Sequence, residues 1–263
     1  MSAATLTLAE VDVRRALDVV LDPELDEPIT DLGFVRSVDV DATSGRVEVH
    51  LRLPTSFCSP NFAYLMASDA KDVVTALPGA AEVVVELDDH HDSPIINAGL
   101  AADAGYRGTF GHEAERDLDD LRRTFRVKAH TAALERCLTA LLRADPDLAV
   151  AAVGEVRLRD LPDDDLTAAL HRRRRAVGLG NHRDARVLVD EHGVEPATDQ
   201  VPLALRRARS TRISVDGNAH FCRGLLRTRY PGSEVDQTDR ADDPDHGSAT
   251  TFIPLSEIQE RSA

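Results

Sequence analysis

Over residues 46–53 the side chains Val47, Val49, Leu51 and Leu53 alternate with Arg46, Glu48, His50 and Arg52. A two-residue period of this kind belongs to a strand with one buried face. Pro54 stops it, and Thr55-Ser56-Phe57-Cys58-Ser59-Pro60 reads as a tight loop into a helix, with Ser59 at the N-cap and Pro60 at the first helical position. Phe62, Met66, Ala70, Val73, Val74 and Leu77 then share one helical face, and Pro78-Gly79 ends it. Upstream, Thr7-Leu8-Ala9-Glu10 has the form of a capping box. The helix it opens carries Val13, Leu17, Val20 and Leu21 on one face and is expected to stop at Asp22-Pro23. A strand running to about Val40 turns through Asp41-Ala42-Thr43-Ser44-Gly45, and residues 82–87 read as a third strand. The predicted order is helix, two strands, helix, strand: a compact α/β unit closing near residue 90.

Beyond it, residues 92–111 are rich in glycine and alanine and read as a linker or a wrapping segment. A long amphipathic helix is predicted over 113–143, with Leu118, Leu121, Phe125, Ala129, Ala132, Leu138, Leu141 and Leu142 on its apolar side. Such a helix bridges two halves of a chain or pairs with a second copy, which leaves a homodimer open. Further on, a strand is expected at 153–158, helices at 163–177 and 183–191, an extended segment at 203–215 and a helix at 218–229. Overall the pattern is α+β: an α-β-β-α-β domain over 1–92, a connecting helix over 93–145, a mainly helical part with a few strands over 146–232, and a tail over 233–263. That tail is acidic, expected to be disordered to about residue 250, and followed by the apolar patch Thr251-Phe252-Ile253-Pro254-Leu255.

Charge and cysteine usage narrow the function classes. Residues 1–150 carry 14 basic and 27 acidic side chains, net −13; residues 151–230 carry 15 and 11, net +4; the rest carry 2 and 8, net −6. An acidic first half is a poor partner for nucleic acid. Arg172-Arg173-Arg174-Arg175, with Arg206, Arg207, Arg209 and Arg212, suits an acidic protein surface, including this chain's own first half. Three cysteines do not make a disulfide framework and fit a reducing compartment. Neither a signal peptide nor an apolar run of transmembrane length is evident, so the expected setting is cytoplasmic, without a membrane partner.

Cys58 is the leading candidate for chemistry. Next to a helix N-terminus, free N–H groups and the helix dipole favour thiolate over thiol, as a metal ligand or a nucleophile needs. The opposing reading is a small buried loop residue. In Asp88-Asp89-His90-His91-Asp92, His90 and His91 offer nitrogens that would join Cys58 in an iron or zinc site, although adjacent strand residues point apart. A solvated polar turn explains them equally. His112-Glu113 is a further ligand pair or a helix start. His220 and Cys222 diverge on a helix and share a face only if extended, and Cys137 falls near the apolar face of its helix.

Asp22-Pro23-Glu24-Leu25, Asp31-Leu32-Gly33-Phe34-Val35, Leu53-Pro54-Thr55 with Cys58 and Pro60, and Leu77-Pro78-Gly79 before Val83 stand in one order over residues 8–90. Together they resemble the small iron–sulfur assembly domain of the SufT and PaaD type, the MIP-eighteen-like family. Ser59 stands between Cys58 and Pro60, where family members commonly have the proline directly after the cysteine, and the cysteine-rich zinc tail of PaaD-type members is missing. The resemblance implies an accessory factor, not an enzyme, in the maturation of an iron–sulfur or di-iron protein, with a multicomponent monooxygenase among the candidate clients. It implies Cys58 as the functional cysteine, supported by Thr55, Asp22, Glu24 and Asp31. Iron or an iron–sulfur cluster would be held transiently, since one sulfur cannot hold a four-cysteine cluster. The partners implied are an apo-metalloprotein client or the assembly machinery. The competing reading from the residues is a hydrolase or transferase with Cys58 as nucleophile and His90 or His91 as base.

Overall fold

A computed structural model describes residues 8–111 and 118–238. The chain opens with helix α1 (Glu10–Leu17), followed by a two-stranded ribbon of β1 (Leu21–Asp22) and β2 (Glu27–Pro28). The main sheet comprises β3 (Val35–Asp41), β4 (Arg46–Arg52) and β5 (Glu82–Asp88), in the order β3-β4-β5. β3 and β4 form an antiparallel hairpin, and β4 and β5 run parallel across helix α2 (Pro60–Thr75), the crossover that parallel strands require. Gly45 takes the left-handed conformation at the hairpin turn, and its N–H bonds to the Asp41 carbonyl at 2.8 Å. The alternation in β4 does what the sequence predicts. Val47, Val49 and Leu51 are buried beside Ala63, Met66, Ala67, Ala70 and Val74 of α2 in one core.

Several local expectations need correction. The first helix begins at Glu10, with Ala9 at its N-cap and Asp12 accepting the Ala9 N–H at 3.2 Å; Thr7 lies outside the described residues. That helix ends at Leu17 because residues 20–29 fold into the ribbon, where the Ile29 N–H bonds to the Val20 carbonyl at 2.9 Å. The glycine-rich stretch holds helices α3 (Ser93–Ala101) and α4 (Gly105–Phe110), which wrap the sheet domain through Ile96 and Leu100.

Helix α5 (Leu118–Ala144), helix α6 (Asp165–Ala176) and helix α7 (Val201–Arg229) build the rest. Residues 153–158 are 3₁₀ turns, not a strand, and 183–191 form no helix. The two stretches meet their backbone needs on each other: Leu158 N–H to Ala185 carbonyl at 2.9 Å and Val187 N–H to Val156 carbonyl at 3.0 Å. Residues 203–215 are not extended but continue with 218–229 as one helix, α7. Its first half packs Val201, Leu205 and Ala208 into a second core with Leu134, Cys137, Leu138 and Leu170. Its second half sends Ala219 and Leu226 into the sheet-domain core.

Between these cores lies a charged seam. Glu135, fully buried, accepts from Arg209 at 3.0 Å and Arg212 at 2.5 Å, while Asp216 takes Arg136 at 2.5 Å and Arg212 at 2.9 Å. The acidic first half and the arginine-rich part also meet directly, in Arg173–Asp26 at 2.5 Å and in the Arg223–Glu27 pair. The start of the tail is ordered rather than free. Ser233 is buried, Arg52 holds Asp236 at 2.5 Å, and the Thr238 N–H bonds to the Asp31 carbonyl at 2.8 Å. His112-Glu113 and the apolar patch at 251–255 lie outside the described residues. Among the described residues no helix is long and apolar enough to cross a membrane.

Candidate functional site

Cys58 sits in the loop between β4 and α2, half-buried, two residues ahead of the helix. Ser59 holds the N-cap position, but its side chain makes no capping bond. Thr55 does the local work. Its Oγ1 accepts the Phe57 N–H at 3.2 Å and lies 3.4 Å from the Cys58 sulfur. Either group can donate in this pair.

The two histidines part company. His90 is buried, its Nε2 2.9 Å from the Cys58 carbonyl oxygen and its Nδ1 3.1 Å from the Asp92 N–H. A carbonyl only accepts and a backbone N–H only donates, so the ring carries its proton on Nε2. His90 therefore reaches Cys58 through the backbone and braces the loop; binding metal through either nitrogen would displace the bond that nitrogen makes. His91 is exposed, its ring 5.8 Å from that of Phe57, while its N–H donates to the Ser56 carbonyl at 2.9 Å.

The carboxylates differ as well. Asp22 is buried, and its Oδ1 accepts the N–H groups of Glu24 and Leu25, both at 2.9 Å. Burial pushes its carboxyl up to about 6 against the opposing pull of those two bonds. Asp22 also lines a crevice under α5 with Asp69, Arg122 and Phe125. Asp31 lies beyond the ribbon beside Asp18 and the docked tail, its carboxyl raised first by burial and then by Asp18 and Glu27. Glu24 receives the Asn218 amide of α7 at 3.2 Å.

Helix α7 covers this region, which the sequence reading did not foresee. Arg229 donates to the Leu53 carbonyl at 3.1 Å, to Ser56 Oγ at 2.8 Å and to the Asp89 carbonyl, so one guanidinium ties the Cys58 loop to the turn after β5. The Tyr230 hydroxyl donates to Asp89 at 3.1 Å, and its ring lies under the guanidinium carbons of Arg229 and Arg52 at 5.2 and 5.5 Å. Cys222, on the same helix, is half-buried against the sheet-domain core that also holds Cys58. Burial pushes its thiol up to about 12, and Asp22, Cys58 and Glu24 add to the shift by their nearby charge. His220, two residues earlier, is exposed, as divergence on a helix demands. Cys137 is buried in the second core.

A second constellation lies on the open face of the sheet. His50, Glu86 and Asp88 place their ligand atoms within 4.8 Å of one another, the one such group among the described residues. Both ring nitrogens of His50 already face carboxylates, Asp88 at 2.9 Å and Glu48 at 3.1 Å, and Arg36 takes Asp88 at 2.8 Å. Hydrogen bonding to Asp88 raises the His50 pKa. The parallel register pairing His50 with Glu86 makes this a cross-strand charge network.

Known proteins resemble the sheet domain. Residues 10–87 match the family described as iron–sulfur cluster assembly protein. An uncharacterised protein of Methanocaldococcus jannaschii is 37% identical over 86 residues, 33% of this chain and 87% of that one. The iron–sulfur cluster carrier protein of Mycobacterium leprae is 38% identical over 76 residues, 29% of this chain and 19% of the carrier. The chloroplastic Fe–S cluster assembly factor of Arabidopsis thaliana is 31% identical over 88 residues, 34% of this chain and 16% of the factor. The chain thus corresponds to under a fifth of those two longer relatives. No solved structure matches it.

Proposed function

From the premise that this chain belongs, through residues 10–87, to the iron–sulfur cluster assembly protein family, we propose that it is an accessory factor that passes iron or an iron–sulfur cluster to an apo-protein client, with Cys58 as the working residue. On this reading residues 1–92 are the assembly-like domain, and the helical remainder tailors it to its client. The client is an iron–sulfur or di-iron protein, a multicomponent monooxygenase among the candidates, and the setting is cytoplasmic. The names of the carrier and assembly-factor relatives support the class of function.

The observation that carries the proposal is the pairing of Cys58 with Thr55 at 3.4 Å in a loop ahead of a helix N-terminus. A thiol is the right donor for iron. The loop is held from three sides, by His90 on the Cys58 carbonyl and by Arg229 on Leu53 and Ser56. Preorganisation of that kind suits a residue that must receive and release cargo without rearranging. The hydrolase or transferase alternative gains nothing from His90, whose two ring nitrogens are both engaged away from the sulfur. Anaerobic purification with iron and sulfide analysis, alongside maturation of the client in cells, tests the proposal. Cys58→Ala should abolish maturation while leaving the fold intact. A Cys58→Ala protein that matures its client at the parent rate would refute it.

A further inference from the structure

In the order β3-β4-β5, strand β5 has a neighbour on one side only. Asn97 of α3 shows which of its backbone groups face the other way. The Asn97 side-chain amide accepts the Leu87 N–H at 2.9 Å and donates to the Leu87 carbonyl at 3.2 Å. Strand geometry repeats every two residues, so the N–H and carbonyl groups of Val83 and Val85 point to the same open side. Among the described residues no group bonds to them there. Instead a groove of about 470 Å³ runs beside them, walled by Asp72 and Thr75 of α2 and by Leu100 and Ala101 of α3. A run of valines with unused ladder groups is a template for another strand, and folded proteins blunt such edges or cover them. Asn97 covers Leu87 and stops there.

We infer that this edge is a docking site for an extended, basic segment of another protein, which adds to the sheet beside β5. Main-chain bonds to Val83 and Val85 hold such a guest, and the side chains along the groove select it. The selection is by charge. Asp103 pairs with Lys71 and Glu82 with Arg46, which leaves Asp72 and Glu86 without an ion pair among the described residues. One carboxylate on the helix and one on the strand favour lysine or arginine in the guest, and apolar residues between them meet Leu100 and Ala101. A second copy of this chain fits less well. Two-fold pairing of β5 centred on Val84 sets Glu82 opposite Glu86 twice, and like charges directly opposite destabilise a strand pair. The chain's own residues 239–263 carry 6 acidic and 2 basic side chains, the wrong balance for this groove. The inference does not depend on the role of Cys58, which lies in another loop.

The test titrates the full chain with a dye-labelled heptapeptide of alternating lysine and valine, the length of β5, and follows fluorescence anisotropy and amide hydrogen exchange. The peptide should bind, and less tightly as salt is added. It should slow exchange at Val83 and Val85 but not at Val84, whose N–H faces β4. The glutamate–valine counterpart should not bind, nor should the lysine peptide N-methylated throughout, which lacks main-chain donors. Asp72→Lys with Glu86→Lys should weaken binding about tenfold. Val83→Pro removes an outward N–H that β4 does not use, a change an edge strand tolerates, and should abolish binding with the circular dichroism unchanged. Should it not fold, the double lysine variant and the N-methylated peptide decide. Cys58→Ala should bind as the parent does, which separates this inference from the proposed function. Failure of the parent to bind the lysine peptide overturns the inference, as does equal affinity for the N-methylated one. A peptide-free dimer that Val83→Pro dissolves would make the occupant a second copy. Binding only after removal of residues 239–263 would make it the chain's own segment. Either result overturns the inference as well.

Discussion

The first half of α7 buries Val201, Leu205 and Ala208 in the helical core, whereas the second half meets the sheet domain with only Ala219 and Leu226 fully buried and with Asn218, Arg223, Arg229 and Tyr230 bonding to it. The first interface is held by area removed from water, which is strong and indifferent to detail. The second adds directional bonds that specify which loop lies where. The contrast suits two tasks: one end anchors the helix, and the other fixes Arg229 against the Cys58 loop. The seam around Glu135 divides the two regimes.

The largest expected effect comes from breaking that seam. Glu135→Ala leaves Arg209 and Arg212 without their buried acid, and losing one partner of a buried pair costs about 3–5 kcal/mol. Urea unfolding measures it; a loss below about 1 kcal/mol would mean that water reaches the seam. Next come the matched truncations Leu205→Ala and Leu226→Ala, one in each interface. Each should cost about 2–5 kcal/mol, in line with other buried leucines. They should differ in a second readout: Leu226→Ala loosens α7 over the sheet domain and speeds alkylation of Cys222, while Leu205→Ala leaves that rate near the parent's. Equal rates would show that α7 docks as one rigid unit.

The buried titratable groups of the two regions should tilt stability in opposite directions. Asp22, raised to about 6 from 3.8, keeps its proton in the folded state while the unfolded chain loses it. Its contribution to stability therefore falls as pH rises from about 3.8 to about 6. His130, buried beside α6 and lowered from 6.5 to about 4, binds its proton more weakly when folded, because burial and the nearby Arg174 oppose its charge. Its contribution is full above 6.5 and is lost as pH falls toward 4. At about 1.4 kcal/mol per pKa unit, each is on the order of 3 kcal/mol across its window. Asp22→Asn should remove the first slope and His130→Gln the second, in thermal melts between pH 4 and 7. A melt profile that neither substitution alters would show that both groups titrate normally.

The smallest effects concern helix starts. In the helical region, Asp164 caps α6 by accepting the Thr167 N–H at 2.9 Å, and Asp164→Ala should cost about 1 kcal/mol. Ser59 makes no such bond, so Ser59→Ala should change stability by no more than a few tenths of a kcal/mol. A larger loss at Ser59 would reveal a cap that forms in solution.

The sheet domain was legible because its elements obey local rules. The strict alternation of Val47, Val49 and Leu51, the Gly45 turn and the proline at the start of α2 all report structure within a few residues of themselves. The helical region was misread where a core position holds a charge. Arg212 sits at helical spacing between Ala208 and Val215, but a pattern that counts arginine as exposed sees no stripe there, and β-branched Thr211, Ile213 and Val215 suggest an extended chain. Glu135, remote in sequence, and Asp216, one turn on, make that burial tolerable.

The candidate site divides along the same line. Cys58, Thr55 and the start of α2 follow from the order of residues alone, because a loop and the helix it enters are made by neighbours. That His90 spends its nitrogens on backbone groups depends on where β5 ends beside the Cys58 loop, and that Arg229 braces this loop depends on where α7 lands. Its landing is set by contacts spanning well over a hundred residues, such as Arg223 with Glu27 and Arg229 with Ser56. Sequence spacing carries no distance information at that range. Packing and charge pairing in three dimensions decide it.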